Sequence, residues 1–232
     1  MPIGKVGSDW YIVGGADRSD AVALAAWCYA QRAVYNWSAK PDQDRNEARR
    51  CAAVGMRTGG DDPDTFTAIA AARALVADRN GAEALLDWAL RLHPRSAAAH
   101  LRSGWLANYL DRPTRAARHF RTAMRLAPLD ASAFNSLTGL GVTHFIGGDH
   151  AQAIRRMEQG LALNPKATWI YRNLMPAYAA AGDRRKAEAG VSALMADYPR
   201  LTVAAACDAM VFSPAVTCRI AAGLRAAGLP RT

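Results

Sequence analysis

The sequence predicts an all-helical α-solenoid of about five antiparallel helix pairs, closed by a C-terminal capping tail. Three observations lead there. Alanine supplies 51 of the 232 residues, roughly three times ordinary usage, and it has the best helix propensity of all residues. Val, Ile and Thr are too sparse for a sheet protein. Amphipathic stretches close on Pro94, Pro128, Pro165 and Pro199 at spacings of 34, 37 and 34 residues, and proline cannot continue a helix.

The elements follow in order. Residues 1–17 hold several Gly and Asp and read as an irregular N-terminal segment. Asp20–Trp37 reads as one long helix, Ser38–Gln43 as a polar turn and Arg45–Met56 as a second helix. Ala48, Ala52 and Gly55 sit on one face of that second helix, but Gly60 stands where a closing proline would be. Residues 18–60 are therefore a degenerate unit. The next units span 63–96, 97–130, 131–166 and 167–199.

The second helix of each unit puts a small, a large and a small or apolar residue at i, i+4 and i+7, which is one helical face. These are Ala82, Leu86 and Ala89; Ala116, Phe120 and Ala123; Ala153, Met157 and Gly160; Ala187, Val191 and Leu194. Breakers at Asp78–Gly81, Asp111–Pro113, Gly147–Asp149 and Gly182–Asp183 make short turns, so paired helices are antiparallel neighbours. Residues 200–232 supply two more helices, Leu201–Met210 and Ser213–Ala227. They cap the apolar face that a stack leaves open.

These features resemble the tetratricopeptide repeat over residues 63 to 199: a small residue in the first helix, a small-large-small row in the second and a closing proline. Met175 replaces the expected small residue, Ser103 a large apolar one, and Pro176 falls inside a helix, where a kink is expected. The stretches AAWCYAQRAVYNW (25–37), TGGDDPDTF (58–66) and GLRAAGLP (223–230) are similar to the C-terminal repeat region of bacterial class III adenylate/guanylate cyclase-like proteins and related winged-helix regulators. That resemblance implies a regulatory role beside a catalytic or DNA-binding domain. No cyclase residue transfers, because the motifs of those domains are absent from this sequence.

Chemistry-bearing motifs are missing as well. There is no phosphate-binding loop, dinucleotide fingerprint, zincin motif or nucleophile elbow. The glycines of Val13-Gly14-Gly15 precede no recognisable βαβ unit. Asp61, Asp62 and Asp64 lack the spacing of a calcium loop and read as carboxylates at a helix start. Cys28, Cys51, Cys207 and Cys218 show no metal spacing and read as small buried hydrophobes. A non-enzyme without cofactor or metal is the expectation. No apolar run reaches the ~20 residues of a membrane span, and Met1–Asp20 has no signal-peptide core. The chain is expected to be soluble and cytoplasmic.

Recognition of a protein or peptide remains. In a tetratricopeptide stack the first helices line a concave groove, which places Arg102, Trp105, Asn108, Tyr109, Asn135, Thr138, Trp169, Arg172 and Asn173 as candidate partner-binding residues. Chaperone-binding members hold a terminal carboxylate with Lys and Asn. The matching places here hold Thr67, Ala71, Arg102, Asn135 and Gly139, so that clamp is not reproduced. The net charge of +9 offers a rival surface. Arg115, Arg118, Arg121 and Arg125 form a ridge on one helix face, joined by Arg155 and Arg156. An anionic partner such as nucleic acid is the alternative, disfavoured because no aromatic residue interleaves the ridge.

Overall fold

The computed structural model describes the backbone of residues 3–6, 9–12 and 18–232, and side chains from Asp20 onward. Among these residues the chain forms a helical solenoid preceded by a small hairpin. Strands β1 (Ile3–Val6) and β2 (Asp9–Ile12) pair antiparallel, with Ile3 opposite Ile12. This corrects the irregular segment expected for 1–17. Ile3, Val6, Trp10, Tyr11 and Ile12 are β-formers, a signal masked by the surrounding Gly and Asp. The Gly14-Gly15 pair lies outside the described residues.

Five helix pairs follow: α1 (Arg18–Val34) with α2 (Pro41–Thr58), α3 (Pro63–Leu75) with α4 (Arg79–Leu92), and α5 (Ala97–Tyr109) with α6 (Pro113–Leu126). After them come α7 (Ala133–Ile146) with α8 (His150–Leu163), and α9 (Tyr171–Ala180) with α10 (Arg184–Asp197). A 3-10 turn, Thr168–Ile170, leads into α9, and α11 (Val203–Ala209) and α12 (Pro214–Ala226) form the tail.

Local sequence sets these boundaries. Asp62, Asp78, Ser96, Asp149, Asp183, Thr202 and Ser213 are N-caps, each accepting from the amide three residues on. Each one satisfies a donor that a helix start leaves orphaned. Asp62 thus accounts for part of the Asp61–Asp64 cluster. Pro41, Pro63, Pro113 and Pro214 open their helices, where a missing N–H is harmless. Because Pro41 starts α2, that helix begins earlier than the Arg45 start read from the sequence. The helix of α9 runs on through Pro176.

Small residues against large ones hold neighbouring pairs together. Phe120 on α6 is fully buried between α5 and α7, and a Cβ added to Gly104 would stand 2.8 Å from its ring. A Cβ on Gly139 would run into the same ring. The last pair departs from the expected row. Gly190, not Val191, is buried beside Ala187 and Leu194, and a Cβ there would meet Met175 Cγ at 2.8 Å. The large residue on α9 and the small one on α10 have exchanged places, so Met175 packs without spreading the pair. Cys51 is buried and Cys28 and Cys207 are partly so, with burial raising all three thiols, whereas Cys218 is exposed against expectation.

Candidate functional site: the closed concave face

The first helices α1, α3, α5, α7 and α9 line the inner face of the superhelix, and that face is closed. The end of α1 reaches the last pair: Tyr35 packs on Trp169 at 5.1 Å between ring centroids, and Trp37 Nε1 donates to Tyr198 Oη at 2.9 Å. Asn36 Nδ2 donates to Ala205 O (3.2 Å), and Arg45 Nη2 to Asp208 O (3.3 Å). The tail crosses the remaining opening. Arg79 Nη2 donates to Val211 O at 2.9 Å and Phe212 O at 3.4 Å, and Phe212 meets Tyr109 edge-on at 5.2 Å. Arg219 of α12 donates to Phe145 O (2.7 Å) and Ile146 O (2.9 Å), carbonyls of the last turn of α7, where a helix runs short of its own donors.

The candidate residues fall into distinct groups on this frame. Two are corrections. Asn108 is fully buried, donating to Gly139 O at 2.9 Å and accepting from Thr143 Oγ1 at 2.9 Å; Thr138 is fully buried with its hydroxyl on Phe134 O at 2.8 Å. The Asn108 side chain is spent between the first helices of adjacent repeats, and the Thr138 hydroxyl on its own helix one turn back. Arg172 is 4% exposed, bridging Val34 O (2.8 Å) and Ala206 O (3.1 Å), so it ties α1 to α11.

The others line the inner hollow. Trp105 Nε1 donates to Asn135 Oδ1 at 2.8 Å, and its ring lies 6.0 Å from Tyr109 and 6.4 Å from Trp169. The Arg102 guanidinium rests on Trp27 at 4.2 Å from the ring centroid, a cation–π contact. Asn173 is buried, and its Oδ1 has no hydrogen-bond partner among the described residues. Trp27, Gln31, Tyr35 and Phe212 were not among the candidates, yet they share the same walls. A legible signal existed for the first three: their i, i+4, i+8 spacing continues one row of α1 into the turn that follows it.

Two small hollows remain, of about 30 and 20 Å3, joined by Tyr35, Trp105 and Tyr109. Each holds no more than one or two waters, so a peptide enters only if the tail moves. Burial raises the phenols of Tyr35 and Tyr109 and lowers Arg102 and Arg172, while the two guanidinium charges act back on both phenols.

The outer face carries the arginine ridge. Arg115 pairs with Glu83 and Asp87, and Arg112 with Glu83, which neutralises the seam between α4 and α6. Across the next seam Arg118, Arg121, Arg125 and Arg155 have no ion pair among the described residues. Below them His100 Nδ1 and His119 Nδ1 lie 3.0 Å apart, a contact not foreseen from the sequence. One of the two must be an acceptor, so the pair cannot be doubly protonated there. Burial, then the charge of His100, Arg115 and Arg118, lowers His119 to about 4.

The unfolded chain binds that proton near pH 6.5 and the folded chain does not. Stability is therefore complete above pH 6.5 and falls as pH drops toward 4. The expected loss between pH 7.5 and 5.5 is about 1.4 kcal/mol from this group. Urea melts at the two pH values check it. A His119→Leu variant should flatten the profile, and an unchanged slope contradicts the assignment.

Among the described residues no group of three His, Cys, Asp or Glu is placed to hold a metal, and no helix is long and apolar enough to cross a membrane. Residues 145–207 match the family model of the tetratricopeptide repeat. No curated protein matches this chain. Among solved structures, PilW, described as a widely conserved type IV pilus biogenesis factor, superposes with a TM-score of 0.64 at 17% identity, over 91% of this chain and 90% of that one. PilF of Pseudomonas aeruginosa gives 0.61 at 15% identity over 92% and 89%. A thermophilic tetratricopeptide-repeat protein of Thermus thermophilus gives 0.61 at 16% identity over 87% and 100%. At such identities the likeness establishes the fold alone. The chain is an α-solenoid with the tetratricopeptide-repeat fold, and the repeat itself is matched in sequence over residues 145–207.

Proposed function

We propose that this chain is a non-catalytic scaffold that takes a protein or peptide segment on its concave face, with its own tail as the resident occupant. The observation that carries this reading is the way the tail is held. Arg79, Arg172 and Arg45 grip α11 and the connection after it by backbone carbonyls, while Tyr109 receives Phe212. Backbone carbonyls exist in every peptide, so the same wall suits a segment supplied in trans. Trp105, Tyr109, Trp169, Arg102, Asn135 and Asn173 are its binding residues. Arg172 serves closure and binding together.

The test loosens the tail in the full chain with Arg79→Ala and Phe212→Ala, then adds a fluorescent peptide copying residues 203–213. Binding at least tenfold tighter than to the unaltered chain, lost again with Trp105→Ala, is expected. No binding by a loosened chain with intact helicity contradicts the reading.

The likeness of residues 25–37, 58–66 and 223–230 to cyclase-associated repeats supports placing the scaffold in the service of a signalling enzyme or transcription regulator. A second reading has one specific support: the unpaired arginines between α6 and α8 suit an anionic partner. Such binding would weaken steeply with salt and fall with Arg118→Glu plus Arg121→Glu, whereas groove binding would not.

A further inference from the structure

The large hydrophobic side chains that the solenoid leaves exposed gather on one edge. Six are exposed among the described residues: Trp37, Met56, Trp88, Leu92, Leu129 and Leu163. Trp37 is held at the ring closure by Tyr198. Successive helices run antiparallel, so α2, α4, α6 and α8 all finish at the same edge, and the other five side chains lie within about one turn of those four ends. Leu92 and Leu163 are the last residues of α4 and α8, and Leu129 stands in the turn just after α6. Leu129 is 98% exposed, Leu163 62%, Leu92 46% and Trp88 45%. Single exposed leucines are ordinary on a protein surface, but a set recurring along one edge marks an interaction site.

The same stretch of edge is positive. Arg91, Arg95, Arg125 and Lys166 are exposed within a turn of these residues, with Arg121 one turn further back along α6. None of the five has an ion pair among the described residues. The Arg91 guanidinium lies over Trp88 at 5.2 Å from the ring centroid, so a charge and an indole are presented together. Two carboxylates lie nearby and both are engaged, Asp87 by Arg115 and Asp130 by the Ser132 amide. Five cations thus stand against two carboxylates. Asp61, Asp62 and Asp64 sit at the connection from α2 to α3. The uncompensated part of the edge therefore runs from α4 to α8 and leaves Met56 outside it.

We propose that the edge carrying Trp88, Leu92, Leu129 and Leu163 among its unpaired cations docks on an anionic lipid surface. Charge complementarity selects anionic headgroups, because each cation near such a surface adds to the attraction. Leucine and tryptophan side chains are the ones that enter the headgroup layer beside them. Shape favours a fluid surface over a folded partner. A side chain as unwalled as Leu129 needs a pocket in a folded partner and none in a lipid layer. Nucleic acid is served less well, since leucines stack no bases. A contact of this kind requires no membrane-crossing helix, and none is present among the described residues. It goes beyond the concave face, and it sharpens the anionic partner of the outer ridge into a lipid surface met at the Arg125 end of that ridge.

The experiment floats the full chain with vesicles of phosphatidylcholine alone or with about 30 mol% phosphatidylglycerol. Binding at least tenfold stronger to the anionic vesicles, weakened by added salt, is expected. Leu129→Ser plus Leu163→Ser should lower it at least fivefold with Tm unchanged, because both side chains are mostly exposed. Arg91→Glu plus Arg125→Glu should lower it at least tenfold. An environment-sensitive dye on Leu129→Cys, in a chain with its native cysteines replaced, should shift to the blue on anionic vesicles and not on a short RNA. Equal binding to both vesicles, anionic binding that ignores the leucine pair, or a dye that does not shift on the vesicles overturns the proposal. Salt-dependent binding to the RNA without vesicle binding also overturns it, while leaving the anionic-partner reading of the ridge in place. The peptide assay of the concave face changes none of these residues, so the two readings fail separately.

Discussion

Removal of residues 201–232 should cost several kcal/mol and open the ring. Those residues bury Leu201, Val203, Ala206, Val216, Ile220 and Leu224, and α12 packs on α9 closely enough that a Cβ on Gly223 would meet Pro176 Cα at 2.5 Å. At ~25 cal/mol per Å2 of apolar surface, a few hundred Å2 approaches the whole ~5–15 kcal/mol margin of a domain. Both carbonyl acceptors of Arg79 and one of the two of Arg172, Ala206 O, leave with the tail, so the loss is polar as well as apolar. Thermal melts and sedimentation of the truncated chain check it. Association through the bared face of the last pair, or a strongly lowered Tm, is expected; a monomer with unchanged Tm contradicts the capping role.

Phe120→Ala should cost about 3–5 kcal/mol, the usual range for a fully buried phenylalanine. Its ring fills the space that Gly104 and Gly139 leave between α5 and α7, and it meets Trp105 edge-on at 5.8 Å. Two glycines facing one ring cannot collapse into the void, since neither has a side chain to move. The effect should therefore lie at the upper end, with Trp105 fluorescence altered as its packing partner disappears. Denaturation in urea with an unchanged slope and a much lower midpoint is the expected record. A loss below about 1 kcal/mol would mean that the repeats close over the gap.

The repeats were legible because local rules write them. Closing prolines, Asp and Ser caps and the small-large-small row each act within a dozen residues. The exchange of Met175 against Gly190 shows the limit of such a row, because complementarity joins two helices and neither sequence alone states it. The concave face was misread for a related reason. Asn108 and Thr138 look available on a helical wheel, yet their partners lie on the neighbouring first helix or one turn back.

Arg172 reads as a hot spot by residue type, but its acceptor Val34 O lies 138 positions away. Ring closure accumulates from small rotations between successive repeats, and no segment of sequence encodes their sum. The row Trp27, Gln31 and Tyr35 was visible, but only closure gives it Trp169 and Phe212 to face.

The central claim is that the first and last pairs meet across a concave face filled by the chain's own tail. A distance measured by pulsed electron paramagnetic resonance between spin labels at positions 39 and 204, in a chain with its four native cysteines replaced, tests that claim directly. The account predicts one short, narrow distance in the free protein, lengthened by the Arg79→Ala and Phe212→Ala changes. A broad distribution of long distances in the unaltered chain would contradict it.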